Sequence, residues 1–470
     1  MAKDYSLTGS SAATAVDIGL AEAAWFVPPI DPNRLTELQR RSNGHAAATT
    51  VGWLVLVVGF GVLAWRLWPS PWAILALLPY GALYGGAADS RWHEMGHNSA
   101  FRSSRLNDAV YYLASFMLWR EATVWRWSHD RHHTDTLIVG RDLEIAFQRP
   151  MTRATLIKTF SGVGAIGFWK RIWLHARGGR DPEVAAFMPD DEWPKVHTEA
   201  RVYIAIMAAV MASCFVIGSI LPIVLIGAPT VYGMWLMVFF GITQHAGLQE
   251  NVLDHRLNTR TVYMNPLFRF LYLNMNYHIE HHIFPTVPYY NLPALHDELK
   301  RYLPEPLPNT MAAYREIFGA LGAQRFDEGF ELDRPIPEVP DAEHRRVSIA
   351  GNGPVVTVDG GHVQVSTIGL DVGRVRRIDV GDQSFALFRV GPDEYRLTDG
   401  FCTHGQAHLA EGVVIDCAIV ECPKHNGRFD LATGDPIRRP VKEPIRVYEV
   451  TPVAGERAVT FRLPQSADIG

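Results

Sequence analysis

Two apolar stretches, residues 46–68 and 71–90, follow one another with only Pro69 and Ser70 between them. Each is close to the roughly 20 residues a helix needs to cross a bilayer. Two more, 202–221 and 224–243, meet near Pro222, with a second possible turn at Gly227-Ala228-Pro229. We read the four as two transmembrane hairpins, because long runs with almost no internal charge are hard to explain as buried helices of a large soluble protein. Arg34, Arg40 and Arg41 precede the first hairpin and Arg91, Arg102 and Arg105 follow it, whereas the turn between its helices is uncharged. The positive-inside rule then predicts an integral, multi-pass protein with both ends of that hairpin on the cytoplasmic side, in a bacterial inner membrane. Residues 108–120 and 157–175 mix apolar with polar or basic positions and read as interfacial segments.

From about residue 335 the character changes. PIPEVPDAEHRR is a Pro-rich, charged junction, and short alternating runs such as VVTV, VQVSTI, FALFRV and VVIDCAIV follow. These predict a small β domain. The expected fold is therefore multidomain: an N-terminal cytoplasmic segment (1–45), an all-α integral membrane domain (46–334), a linker (335–345), a small all-β domain (346–463) and a C-terminal tail (464–470). The net charge of −5 and pI near 6.4 argue against a nucleic-acid partner. Cysteines are too few for a secreted disulfide scaffold, being only Cys214, Cys402, Cys417 and Cys422, which suggests a reducing compartment. The first 17 residues lack a signal-peptide pattern.

Histidine is the unusual residue. Of 19, eight fall into three clusters: His93 and His97; His129, His132 and His133; His278, His281 and His282. On a helix, positions i, i+3 and i+4 lie close together, so each cluster can turn its imidazoles toward a metal. His93-Glu94-x-x-His97 alone would suit a zinc protease with Glu94 as general base, but such a site needs only one further ligand. So many neutral imidazoles can hold two divalent metals with open positions, and imidazole suits iron as well as zinc or copper.

The β region carries Cys402-Thr403-His404 and Cys422-Pro423-Lys424-His425. Two cysteines and two histidines could bind zinc. The C-x-H and C-x-x-H pairing fits a Rieske [2Fe-2S] cluster better, with Cys402 and Cys422 on one iron and His404 and His425 on the other. A one-electron donor favours iron over zinc in the histidine clusters. Cys417 reads as a small buried strand residue. No Rossmann glycine fingerprint stands in a strand-turn-helix unit, and a hydride carries two electrons where this cluster accepts one. A separate NAD(P)H-dependent flavoprotein reductase is therefore expected.

The HxxxH, HxxHH, HxxHH series resembles the membrane-bound fatty acid desaturase and hydroxylase superfamily, and residues 346–463 resemble a Rieske ferredoxin domain. The resemblance implies a diiron centre of two iron ions, O2 as oxidant, and a further ligand from the helix before the last box, matched by His245 in GITQHAGL. Some lipid desaturases carry an asparagine one turn before that histidine; Gly241 stands there in this chain. Of Glu94, Asp130, Asp135 and Glu280, at least two are expected to support the ligands from behind, with ordinary ion pairing as the alternative for Asp130 and Asp135, and His296 is a further candidate for that role. Asn251, Asp254 and His255 read as local helix-end or loop residues. Trp119, Trp125 and Trp127 suit either a substrate channel or interface anchoring. The expected activity is oxidation of an unactivated C–H bond by a desaturase or hydroxylase, with membrane lipids as surroundings and an acyl chain or other lipid as substrate. The alternatives are an oxygenase or demethylase of a small polar amino-acid or amino-sugar derivative, and a non-enzymatic electron carrier or metal-binding protein.

Overall fold

The computed structural model describes residues 3–20, 25–145, 148–339, 355–358, 361–381, 383–405, 407–424, 427–438 and 441–464. Its first part is all-helical and its last part all-β. Among the described residues three helices are long and apolar enough to span a membrane: Asn43–Leu67, Asp190–Ile217 and Ile223–His245. The first starts where Ser42 Oγ accepts from His45 N–H, and at 25 residues it runs about 37 Å. Its inward stripe is Ala46, Thr50, Trp53, Val57 and Ala64, at spacings close to whole helical turns. The other face exposes Val51, Val55, Val58, Val62 and Trp65. An apolar surface of that size has a physical reason to face outward only if lipid covers it. The same holds for Asp190–Ile217, where Phe215 and Val216 are nearly bare; its apolar window is only 17% buried, against 44% for Ile223–His245.

The second apolar run is not one uninterrupted helix. A 3₁₀ turn at Pro71–Ala73, a helix at Ile74–Gly81 containing Pro79 and a π-turn at Ala82–Gly86 lead into the helix Ala88–Gly96. Pro79 lacks an N–H for the ladder, and π-turns occur as local bulges in otherwise regular helices. The run packs on the helix Pro229–His245 at very short range. A methyl group built on Gly85 would meet Pro229 O at 2.4 Å, and one on Gly233 would meet the carbonyl of Gly81. Gly227-Ala228-Pro229 does not turn the chain, because a π-turn at Ile223–Gly227 carries it directly into Pro229–His245. The reversal after Asp190–Ile217 sits at Gly218, in the left-handed region. Arg91 is fully buried and donates to the carbonyls of Ala87, Phe270 and Leu271. It is a bracket between chain segments rather than a free flanking charge.

Among the described residues, twelve strands form three four-stranded sheets, all paired antiparallel. The strand Gln383–Arg389 is shared by two cores: Phe385 and Leu387 point into one, Ala386 and Phe388 into the other. Period-two alternation with both faces covered explains its continuous apolar centre. Val413–Ile415 and Ile419–Glu421 make a hairpin whose tight turn holds Asp416 and Cys417, both at positive φ. Cys417 is thus a half-buried turn residue, not a strand residue. A primed hairpin turn demands that backbone conformation of its two central residues.

The two parts touch at several points. Arg41 pairs with the fully buried Glu421, Lys442 Nζ with Asp191 at 3.0 Å, and Gln39 Nε2 donates to Glu411 O at 3.3 Å. Glu421 is also held by Arg428 at 2.7 Å.

Candidate metal centre and electron-transfer site

The histidines arrive from four helices. Ala88–Gly96 carries His93 and is followed directly by His97; Ala122–Thr134 carries His129, His132 and His133; Pro229–His245 ends on His245; and His278–Ile283 carries the last three. They gather into two groups, His93, His97, His129, His133 and His281 in one and His132, His245, His278 and His282 in the other. In each group one nitrogen per residue lies within 4.8 Å of all the others. Each HxxHH box splits in the same way: its i and i+4 members, on one helix face, join one group, while the i+3 member crosses to the other. Eight of the nine are buried and His245 is partly so.

The nitrogens that meet are Nε2 atoms: 2.7 Å between His93 and His281, 3.1 Å between His97 and His129, and 3.2 Å for both His245–His278 and His278–His282. Behind them, Nδ1–H of His132 donates to Asp142 Oδ2 at 2.9 Å, that of His129 to Glu144 Oε2 at 3.1 Å, and that of His245 to Asn258 O at 2.9 Å. An imidazole whose proton is held at Nδ1 presents a bare lone pair at Nε2. Burial, and then repulsion among the rings, holds His93, His133, His278, His281 and His282 well below the usual imidazole range. Converging neutral lone pairs oppose one another unless cations lie between them, so the donor set fits two bound metal ions.

Asp142 and Glu144 escaped the sequence reading. They lie in a loop after the second box. Asp142 also accepts from Leu137 N–H at 2.9 Å and Glu144 N–H at 2.8 Å, and Glu144 accepts from Ser128 Oγ at 3.0 Å. Burial works against its charge, yet the neighbouring His129 holds the Glu144 carboxyl down to about 2. Asp142 likewise outweighs burial and raises His132, as a carboxylate that makes a ligand more basic does. An Asp-x-Glu following a histidine box was the available signal.

Among the carboxylates read as support for the ligands, Glu94 and Glu280 turn to other partners, and Asp135 makes the ion pairs that were its alternative. Glu94 Oε1 accepts from Ser99 Oγ at 2.8 Å and Tyr289 N–H at 3.2 Å, and burial pushes its carboxyl up to about 7. Asp130 is pushed up to about 7 by burial, and Asp135 pairs with Arg131 and Arg141. Glu280 accepts from Thr261 Oγ1 at 2.6 Å and from His296 at 2.5 Å, and His296 meets Tyr263 OH at 3.0 Å. Asn251 accepts from Val139 N–H, and Asp254 caps the turn His255–Asn258 and pairs with Arg256. His255 stacks on Trp25 at 4.2 Å and lies 5.0 Å from the ring of His282. A methyl group built on Gly241 would meet only Gln244 Oε1, at 3.9 Å. Trp119 is buried against Trp169, and the half-buried Trp125 packs against Trp92 and Phe168.

In the β domain, Cys402 and Cys422 are both buried and their thiols are hydrogen-bonded to one another. The backbone N–H groups of His404 and Gly405 also point at the Cys402 sulfur, and together these bonds hold its thiol below the usual range. Backbone bonds from Cys402 N to Ala407 O and Cys422 N to Gly427 O fold the two loops toward each other. Paired buried sulfurs ringed by backbone donors suit an iron–sulfur cluster. His404 is exposed and faces Trp127 of the helical part, ring centroids 6.5 Å apart. His425 lies outside the described residues.

A membrane-type helical scaffold with two imidazole groups, joined to a β domain with a buried cysteine pair, defines a metal-dependent oxidoreductase with its own electron-transfer module. The chain belongs to the fatty acid desaturase family, whose profile matches residues 67–313, a little over half of its length, and residues 362–449 match the Rieske [2Fe-2S] domain. It is similar to the acyl-lipid (9+3)-(E)-desaturase of Dimorphotheca sinuata, 25% identical over 56% of this chain and 77% of that protein. Its C-terminal part is similar to ferredoxin CarAc of Metapseudomonas resinovorans, 42% identical over 18% of this chain and 78% of that protein. The ferredoxin subunit of anthranilate 1,2-dioxygenase from Burkholderia cepacia is 43% identical over 16% of this chain and 68% of that subunit.

Proposed function

We propose that the protein is an O2-dependent desaturase or hydroxylase that oxidises an unactivated C–H bond in an acyl chain or other lipid, drawing electrons through its own Rieske domain. The observation that carries this reading is the gathering of nine histidines into two groups of converging Nε2 atoms in a chain that also holds the paired cysteines. The similarity to an acyl-lipid desaturase supports the lipid substrate. Iron bound by His93, His97, His129, His133 and His281, and by His132, His245, His278 and His282, supplies the oxygen-activating chemistry. The protein's own part is orientation. Asp142, Glu144 and the Asn258 carbonyl fix which nitrogen of His132, His129 and His245 carries the proton, and so where each ring points. Cys402, His404, Cys422 and His425 hold the cluster, and an external NAD(P)H-dependent flavoprotein reductase supplies it. Fusion raises the effective concentration of donor at acceptor. The cage and the Rieske domain lie on the cytoplasmic side of a bacterial inner membrane, and the chain divides at the boundaries read from its sequence.

The test is mass spectrometry of lipid and aqueous extracts from cells expressing the protein under labelled dioxygen, with His281→Ala as control. A lipid product carrying label, or one two hydrogens lighter, is expected only with the intact protein. A new product confined to the aqueous fraction contradicts the lipid reading.

A further inference from the structure

A cavity of about 530 Å³ lies between the helical and β parts. One wall is the segment Trp25–Ile30, strapped to the helical part by Trp25 Nε1–H donating to Thr134 O at 2.8 Å and by Phe26 N–H donating to Leu253 O. Ile283 and Phe284 extend this apolar wall to His282 of the cage, which itself lines the cavity. The opposite wall belongs to the Rieske domain and is cationic, with Arg374, Arg376, Arg377 and Lys424.

The charges do not cancel. Against four cations the lining offers two carboxylates, Asp31 and Glu411. Asp31 is occupied in capping the helix Pro32–Leu38. Arg376 is turned onto the carbonyls of Ser366 and Ile368, and Arg377 pairs with Asp379. Arg374 has no ion-pair partner among the described residues, whereas Lys424 stands over the Trp25 ring at 5.8 Å, where burial pushes its ammonium down to about 8 against the pull of the Asp135 carboxylate. A cavity apolar on the side that reaches a cage histidine and cationic on the other is complementary to an amphiphile with an anionic head.

We infer that this interdomain cavity is the substrate site, and that it takes an amphiphile whose carboxylate or phosphate head is held by Arg374 of the Rieske domain while its apolar tail runs along Trp25–Ile30 toward His282. The inference rests on the proposed oxidation of a lipid and narrows it to anionic amphiphiles. It also gives the Rieske domain a second role as half of the substrate site.

Photolabelling of the full-length protein in phosphatidylcholine nanodiscs tests this. The probes are a medium-chain fatty acid with a terminal diazirine, and its alcohol and trimethylammonium counterparts. The acid is expected to label peptides containing residues 25–30 or 282–284 several-fold more than either counterpart. Arg374→Gln is expected to reduce that labelling several-fold and Arg374→Lys to retain it, both with an unaltered Rieske electron paramagnetic resonance signal showing an intact domain. Equal labelling by acid and alcohol, labelling confined to other peptides, or indifference to Arg374→Gln overturns the inference. Binding is read without turnover. Lipid oxidation without acid labelling therefore defeats the site alone, whereas acid labelling without any oxidised product defeats the functional reading alone.

Discussion

The imidazole of His404 and the indole of Trp127 face each other across the boundary between the two domains, with planes inclined by 66°. Trp127 stands two residues before His129 on the same helix, so the ring that touches His404 is joined to the cage through one short stretch of helix backbone. Trp127→Leu is expected to slow reoxidation of the reduced cluster by oxygen several-fold, followed by stopped-flow absorbance, while leaving the cluster's resonance signal and midpoint potential unchanged. Unchanged reoxidation kinetics contradict this placement of the electron route.

Asp142 and Glu144 bear on the metals through His132 and His129. Loss of such a partner typically weakens metal binding about 10–100-fold. Asp142→Asn and Glu144→Gln are expected to release cage iron to a chelator at correspondingly lower concentrations, with the Rieske signal intact. Asp135→Asn, a change in a carboxylate paired with Arg131 and Arg141 and with no cage histidine among the described residues, is expected to leave chelation unchanged.

Helical spacing explains why the histidines were legible and their supporting carboxylates were not. Residues i and i+4 share a face, which puts His93 with His97 and His129 with His133 wherever the helices go. The same rule turns Glu94, one residue from His93, about 100° around the helix, onto Ser99 and Tyr289, and Glu280, two residues from His278, onto Thr261. Asp142 and Glu144 reach the rings only because a loop folds back, which depends on tertiary contacts. The membrane runs were legible from length and composition; the π-turns at Ala82–Gly86 and Ile223–Gly227 come from packing between helices. Cys417 reads as a strand residue because its neighbours alternate, whereas the positive φ that Asp416 and Cys417 share places it in the hairpin turn.

Arg41 joins the segment before the first membrane helix to Glu421, one residue from a cluster cysteine. Truncating one member of a buried charge pair costs about 2–5 kcal/mol, and the low end applies because Arg428 still pairs with Glu421. Arg41→Ala is expected to speed amide exchange in residues 413–421 without loss of the cluster, measured by hydrogen–deuterium exchange.

His408 is fixed in one neutral form: its Nδ1 accepts from Ala410 N–H at 3.0 Å and its Nε2–H donates to Ser384 Oγ at 2.9 Å. Burial, reinforced by Arg377, pushes its imidazole down to about 3. Below the unfolded value the unfolded chain binds a proton that the folded domain refuses, so stability falls as pH drops from about 6.5 toward 3. Between pH 6.5 and 5 the loss is about 2 kcal/mol. His408→Gln is expected to flatten this slope in thermal unfolding followed across that range.

The proposed function requires that the nine histidines hold iron in addition to the cluster. Mössbauer spectroscopy and metal analysis of full-length protein grown on iron-57 test it most directly. About four irons per chain are expected, with about two remaining and the Rieske signal lost in Cys402→Ala. A fully loaded cluster with about two irons in all, and a cage that stays free of iron when Fe(II) is supplied, would contradict it.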